Sequence, residues 1–192
     1  MKKIGDIIKP FISIIFGALL FLVYLNYLST GGTTLAIGII GVILAAYYLA
    51  VGIVATVLGD KMPGGVRDIL DLVSIVLFPT FMFVVFLIRT INVAQAGALL
   101  PTGWVISITS MTGALLMVVV YLLAKLLNIK LLTRFAFMFS AIFILALLLD
   151  IIFDSTGLPI VLGNINIIGL VIYLVYTYML FNSFAKAAQK AE

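Results

Sequence analysis

Six stretches of about twenty mostly apolar residues fill this chain, and short turn-forming segments separate them. They run approximately over 10–28, 35–58, 69–88, 104–124, 131–152 and 159–181. Each is long enough to cross a hydrocarbon layer of ~30 Å as a helix. Backbone N–H and C=O groups in lipid must be bonded internally, which a helix does within one segment. The composition agrees with a bilayer as solvent. Residues AVILMFWYC make up 65% of the 192 residues, and only 9% are charged. A soluble domain runs roughly 45–50% apolar and about 25% charged, so this chain lacks the charges to cover a water-facing surface. The expectation is an all-α membrane protein with six transmembrane helices, a single integral membrane domain over 1–192.

The basic residues set the expected orientation. Lys2, Lys3 and Lys9 precede the first span, and Lys61 and Arg67 lie between the second and third. Lys125, Lys130 and Arg134 flank the turn between the fourth and fifth, and Lys186 and Lys190 follow the sixth. Ten of the 11 basic residues thus fall on one side, with Arg89 alone on the other. Both termini are expected in the cytoplasm, with the protein multipass in the plasma membrane. The net charge of +4 then reflects this bias and nearby anionic lipid headgroups. No basic patch stands apart from helix ends, so nucleic acid is not an expected partner. The first span follows lysines as a signal peptide would. No small-x-small cleavage site follows it, and five more spans do, so it reads as a retained helix.

Pro10, Pro101 and Pro159 fall near expected helix starts, where a missing N–H costs nothing. Pro79 falls inside the third span and is expected to kink that helix or open its backbone ladder.

The chain also reads as three copies of a helical hairpin around a pseudo-threefold axis along the membrane normal. Thr-Gly recurs at Thr30-Gly31, Thr102-Gly103 and Thr156-Gly157, followed by Gly41, Gly113 and Gly169 in the next helix. Apolar-Ser-apolar clusters centred on Ser13, Ser74 and Ser140 precede the three turns. A division into two sets of three spans competes with this reading. It aligns Gly17-Ala18-Leu19-Leu20 with Gly113-Ala114-Leu115-Leu116, and Thr80-Phe81-Met82 with Thr177-Tyr178-Met179.

The segment Ile14-Ile15-Phe16-Gly17-Ala18-Leu19-Leu20, and the run from Leu35 to Val54 with Gly38, Gly41 and Gly52, carry a resemblance. A six-span chain with these features resembles the short-repeat acid-resistance membrane proteins of the HdeD type. The resemblance covers about a third of the chain and implies a stress-related membrane protein.

Three groups of residues are candidates for function. Arg89, Asp150 and Asp154 are charges at one expected membrane edge, as an interhelical ion pair or an outer gate. Tyr47, Tyr48, Ser107, Ser110, Tyr121, Tyr173 and Tyr176 are hydroxyls within spans, as lining of a cavity or as interhelical bonds. Gly38, Gly41, Ala45, Gly52, Gly113 and Gly169 are small residues suited to close helix packing.

The chain has no His and no Cys, which removes imidazole acid–base work, thiolate nucleophiles and most N/S metal sites. No Gly-x-Ser-x-Gly elbow or phosphate-binding Gly-rich Lys motif occurs. No acid falls at an expected midplane, where an ion-coupled carrier usually keeps one. The expectation is a non-enzyme with no cofactor and no metal. Two functional readings stand. One is a structural or accessory protein packing with itself or a larger membrane complex. The other is a solute-transport or substrate-capture component. A six-span chain of this length with both termini inside is similar to the substrate-capture subunits of vitamin importers, which partner an ATPase module. In that scheme the segment 90–103 serves as an outer loop and lid.

Overall fold

The structure, a computed structural model, describes residues 4–161 and 165–189. Among them six helices are long and apolar enough to cross a membrane, the architecture of an all-α multipass protein. They are α1 (Ile4–Leu25), α2 (Gly32–Leu58), α3 (Gly64–Gln95), α4 (Pro101–Leu127), α5 (Lys130–Ile152) and α6 (Ile167–Gln189). Lys2, Lys3 and Lys190, used above to orient the chain, lie outside the described residues.

Three boundaries differ from the hydropathy reading. α3 continues through Ile88 to Gln95, so the expected loop over 90–103 shrinks to 96–100. Thr90 lies in this extension, with its hydroxyl bonded to the Phe86 carbonyl one turn back. A lid of that length does not form.

α6 starts at Ile167 rather than at Pro159. Pro159 instead pairs with Phe153 in an antiparallel bridge. Asp154 N–H donates to the Leu158 carbonyl at 2.9 Å, and Ile160 N–H to the Ile152 carbonyl at 2.8 Å. The Asp154 carboxylate collects the N–H groups of Thr156, Gly157 and Leu158 and the Thr156 hydroxyl. An aspartate that binds the backbone ahead of it offers those N–H groups a turn instead of a helix. Gly157 closes the turn at φ +98°, a region that glycine enters without a Cβ clash. The helix resumes where Asn166 Oδ1 accepts the Gly169 N–H at 2.8 Å, an N-cap.

Pro10 lies inside α1 rather than at its start. Of the four prolines read for position, Pro101 stands at the first turn of α4 and Pro79 inside α3, as expected.

The chain divides into two compact units. Unit 1 comprises Met1–Phe78 with Leu174–Ser183, and unit 2 comprises Pro79–Tyr173 with Phe184–Glu192. In unit 1, α1 lies against α2 at glycine contacts. A Cβ on Gly17 would stand 2.8 Å from the Leu49 backbone N and 2.9 Å from the Ala45 carbonyl O. In unit 2, α4 meets α5 the same way. A Cβ on Gly113 would stand 3.1 Å from both the N and the Cα of Phe143. Apolar side chains do not favour helix pairing over lipid contact, so backbone approach and its dispersion energy hold such pairs. Large apolar side chains such as Val57, Leu126 and Val161 are exposed, as lipid-facing residues are in a membrane protein.

Candidate functional site

The core of unit 1 is built around an interrupted stretch of α3. A proline at 79 has no N–H, so the Ile75 carbonyl, four residues back, has no helical donor. Tyr176 supplies one. Its hydroxyl donates to the Ile75 carbonyl at 2.7 Å, and the residue is fully buried. Tyr48, also fully buried, donates its hydroxyl to the adjacent Ser74 carbonyl. Tyr47, one residue back on α2, reaches the Leu70 carbonyl and the Ser74 hydroxyl, both at 3.3 Å.

Phe16 of α1 fills the space between these phenols. Its ring lies 4.7 Å from that of Tyr48, edge to face, and 5.2 Å from that of Phe78. The rings of Phe78 and Tyr176 are 4.5 Å apart. Aromatic contacts of this kind add ~0.5–1.5 kcal/mol each beyond the area they bury. The hydroxyls satisfy helix carbonyls and the rings fill the interior around them. Tyr47, Tyr48 and Tyr176, which the sequence offered as cavity lining or interhelical bonds, make interhelical bonds here.

A charged cluster marks unit 2. Arg89 of α3 donates from Nη1 to both carboxylate oxygens of Asp150 on α5, at 2.9 and 3.2 Å. Arg89 is 34% exposed and Asp150 13%, so the pair is shielded from water more on the acid side. Tyr173 of α6 donates to the same carboxylate at 3.4 Å. The guanidinium also stands 5.5 Å from the centroid of the Phe86 ring, within cation–π range. Asp150 therefore joins three helices. Tyr173 was read with the span hydroxyls and Asp150 with the charges; hydropathy carries no signal that links them.

Asp154 does not join this pair. It is exposed and turned to its own loop, where the Thr156 hydroxyl, with the N–H groups of Thr156, Leu158 and Gly157, holds its carboxyl below the usual range. That turn is fastened to α4. Leu100 N–H donates to the Thr156 carbonyl at 2.8 Å, and the Thr102 hydroxyl donates to the Gly157 carbonyl.

The other candidates take separate places. Tyr121 is buried on α4, 5.5 Å from the Phe184 ring, and lies under Lys125. Ser107 is buried, and so is Ser110, whose hydroxyl has no hydrogen-bond partner among the described residues. Ser13, Ser74 and Ser140, which centre the three serine clusters, are all buried. Gly38 and Gly41 abut Tyr27 and Tyr24, and Gly52 abuts Ile14 and Pro10. Ala45 is fully buried, and its carbonyl faces Gly17. Gly169 differs: the nearest side chain to it is its own cap, Asn166.

No group of three or more His, Cys, Asp or Glu suited to a metal ion occurs among the described residues. Compared with family models, curated proteins and solved structures, the chain has no match.

Proposed function

We propose that this chain is a non-enzymatic structural or accessory protein of the plasma membrane, stress-related, with both termini in the cytoplasm. It acts through helix packing with itself or with a larger membrane complex. The observation that carries this reading is the use made of Tyr48 and Tyr176. These buried phenols are committed to the carbonyls of Ser74 and Ile75. Side chains so engaged stabilise a packed bundle and are not presented to a solute. The glycine contacts of α1 with α2 and of α4 with α5 have the same character. Their likeness also favours, of the two internal repeats, the one that aligns Gly17 with Gly113 over the pseudo-threefold of hairpins.

Native mass spectrometry of the gently purified protein tests the reading. A homo-oligomer or a co-purified membrane complex without solute is expected. A retained small solute, or a co-purified ATPase module, overturns it. A reporter active only outside the cytoplasm, fused after Lys190, is expected to be silent; activity there reverses the orientation.

A second reading, solute capture or transport, draws on Ser110. Its hydroxyl is fully buried and unpartnered among the described residues, and burial of an unpaired polar group is costly. Under this reading Ser110→Ala removes a retained solute, whereas under the first reading it leaves the oligomer intact and changes stability little.

A further inference from the structure

α3 spans 32 residues and belongs to both compact units. Unit 1 ends at Phe78 and unit 2 resumes the chain at Pro79, so the division falls on the residue that lacks a backbone donor. These are separate facts. The division follows the packing of the whole chain, and the missing N–H belongs to one residue.

Bonds between helices anchor the two arms of α3 separately. The arm before the break is tied to α2, where Tyr47 reaches the Leu70 carbonyl and Tyr48 the Ser74 carbonyl. The arm after it is tied to α5, through Arg89 and Asp150. α6 repeats the pattern. Tyr173, in unit 2, donates to Asp150, and Tyr176, in unit 1, donates to Ile75. Within less than one turn, α6 changes the unit to which it is bonded.

An unbroken helix resists bending, because a bend stretches its i→i−4 bonds. Over 75–79 one of those bonds is absent, and a phenol from another helix stands in for it. A side chain can turn away where a backbone N–H cannot, and water or a neighbour then serves the freed carbonyl. One neutral hydrogen bond shifts an equilibrium roughly two- to tenfold, so both states lie within thermal reach.

We propose that Ile75–Pro79 is a hinge in α3 and that Tyr176 is its latch. With the phenol on Ile75 the bend is fixed; with the phenol released the bend changes. The arm from Pro79 to Gln95 is ~24 Å long, so a change of about 20° moves its far end by ~8 Å. The hinge adds movement to the packing role proposed above and does not depend on what the chain packs against.

The test is a pulsed electron-spin distance measurement on the full-length protein in lipid nanodiscs. The chain has no Cys, so spin labels attach only where cysteines are introduced. The pair Ile43→Cys/Leu145→Cys takes one exposed position from each unit, and the pair Leu126→Cys/Leu145→Cys takes both from unit 2. Tyr176→Phe is expected to broaden the first distance distribution by at least ~4 Å and to leave the second unchanged. Adding Pro79→Ala gives Ile75 a helical donor again, and the first distribution is expected to become narrow. An unchanged first distribution in Tyr176→Phe overturns the proposal. So does equal broadening of both pairs, which marks general loosening, and so does broadening that persists with Pro79→Ala. Should Tyr176→Phe fail to fold, Pro79→Ala alone is compared with the parent. It is expected to narrow the first distribution, and an equal width there overturns the hinge.

Discussion

The Tyr176 hydroxyl donates to the Ile75 carbonyl at 2.7 Å, at the place in α3 where Pro79 removes the helix's own donor. A buried carbonyl left without a partner costs ~1–3 kcal/mol, so the phenol compensates for the proline. Tyr176→Phe is expected to lower stability by that amount in a detergent or steric-trap unfolding assay. In a Pro79→Ala background the helix regains an N–H for Ile75, and the same substitution is expected to cost less than half as much. Equal costs in both backgrounds would refute the compensation.

Arg89 and Asp150 are expected to behave as one unit. The pair is more shielded than a surface salt bridge and less than a fully buried one, so breaking it is expected to cost about 2 kcal/mol. Arg89→Gln and Asp150→Asn each leave a charge or carboxamide without its partner, and the double variant is expected to recover part of the loss. A double-mutant cycle on thermal unfolding measures this. Additive losses would mean that the two side chains are not coupled.

The Asp154 turn is expected to respond to acid. Its carboxyl is held below the usual aspartate range, chiefly by the Thr156 hydroxyl. A depressed folded value means that the ionised form stabilises the turn. That contribution is complete above about pH 5 and is lost as pH falls through the folded value, below about 4. Trp104, the only tryptophan, follows Gly103, whose backbone abuts the Thr156 carbonyl. Its emission is expected to shift in that acidic window in the wild type. In Asp154→Asn the shift should vanish; an unchanged transition in that variant removes Asp154 as its source.

Alanine substitutions at three glycines are expected to rank by the backbone they meet. Gly17→Ala places a Cβ within 3 Å of rigid backbone atoms of α2, and overpacking of this kind costs ~1–3 kcal/mol. Gly113→Ala, with its contacts at 3.1 Å, is expected to cost less. Gly31→Ala meets nothing within 4 Å and is expected to stay within about 0.5 kcal/mol of the parent. Thermal unfolding in one detergent gives the order, and a reversal of Gly17 and Gly31 contradicts the packing described.

Hydropathy along the chain was enough to reveal six membrane-spanning helices, because the bilayer tests each segment by length and apolarity, and both are local. Pro79 announced a missing backbone donor in α3 for the same reason, since a proline lacks its N–H wherever it stands. The partners were not legible. Ile75 and Tyr176 are 101 residues apart, and Arg89 and Asp150 are 61 apart, so only the folded chain sets those pairs. The start of α6 was also beyond a hydropathy reading. Ile160 and Val161 are apolar enough for a helix, but the Phe153–Pro159 bridge and the Asp154 carboxylate take up the backbone groups before them. Composition and hydropathy marked six helices as long and apolar enough to cross a membrane. Which hydroxyl meets which carbonyl was decided by tertiary structure, because a hydrogen bond depends on a few tenths of an ångström that no local pattern encodes.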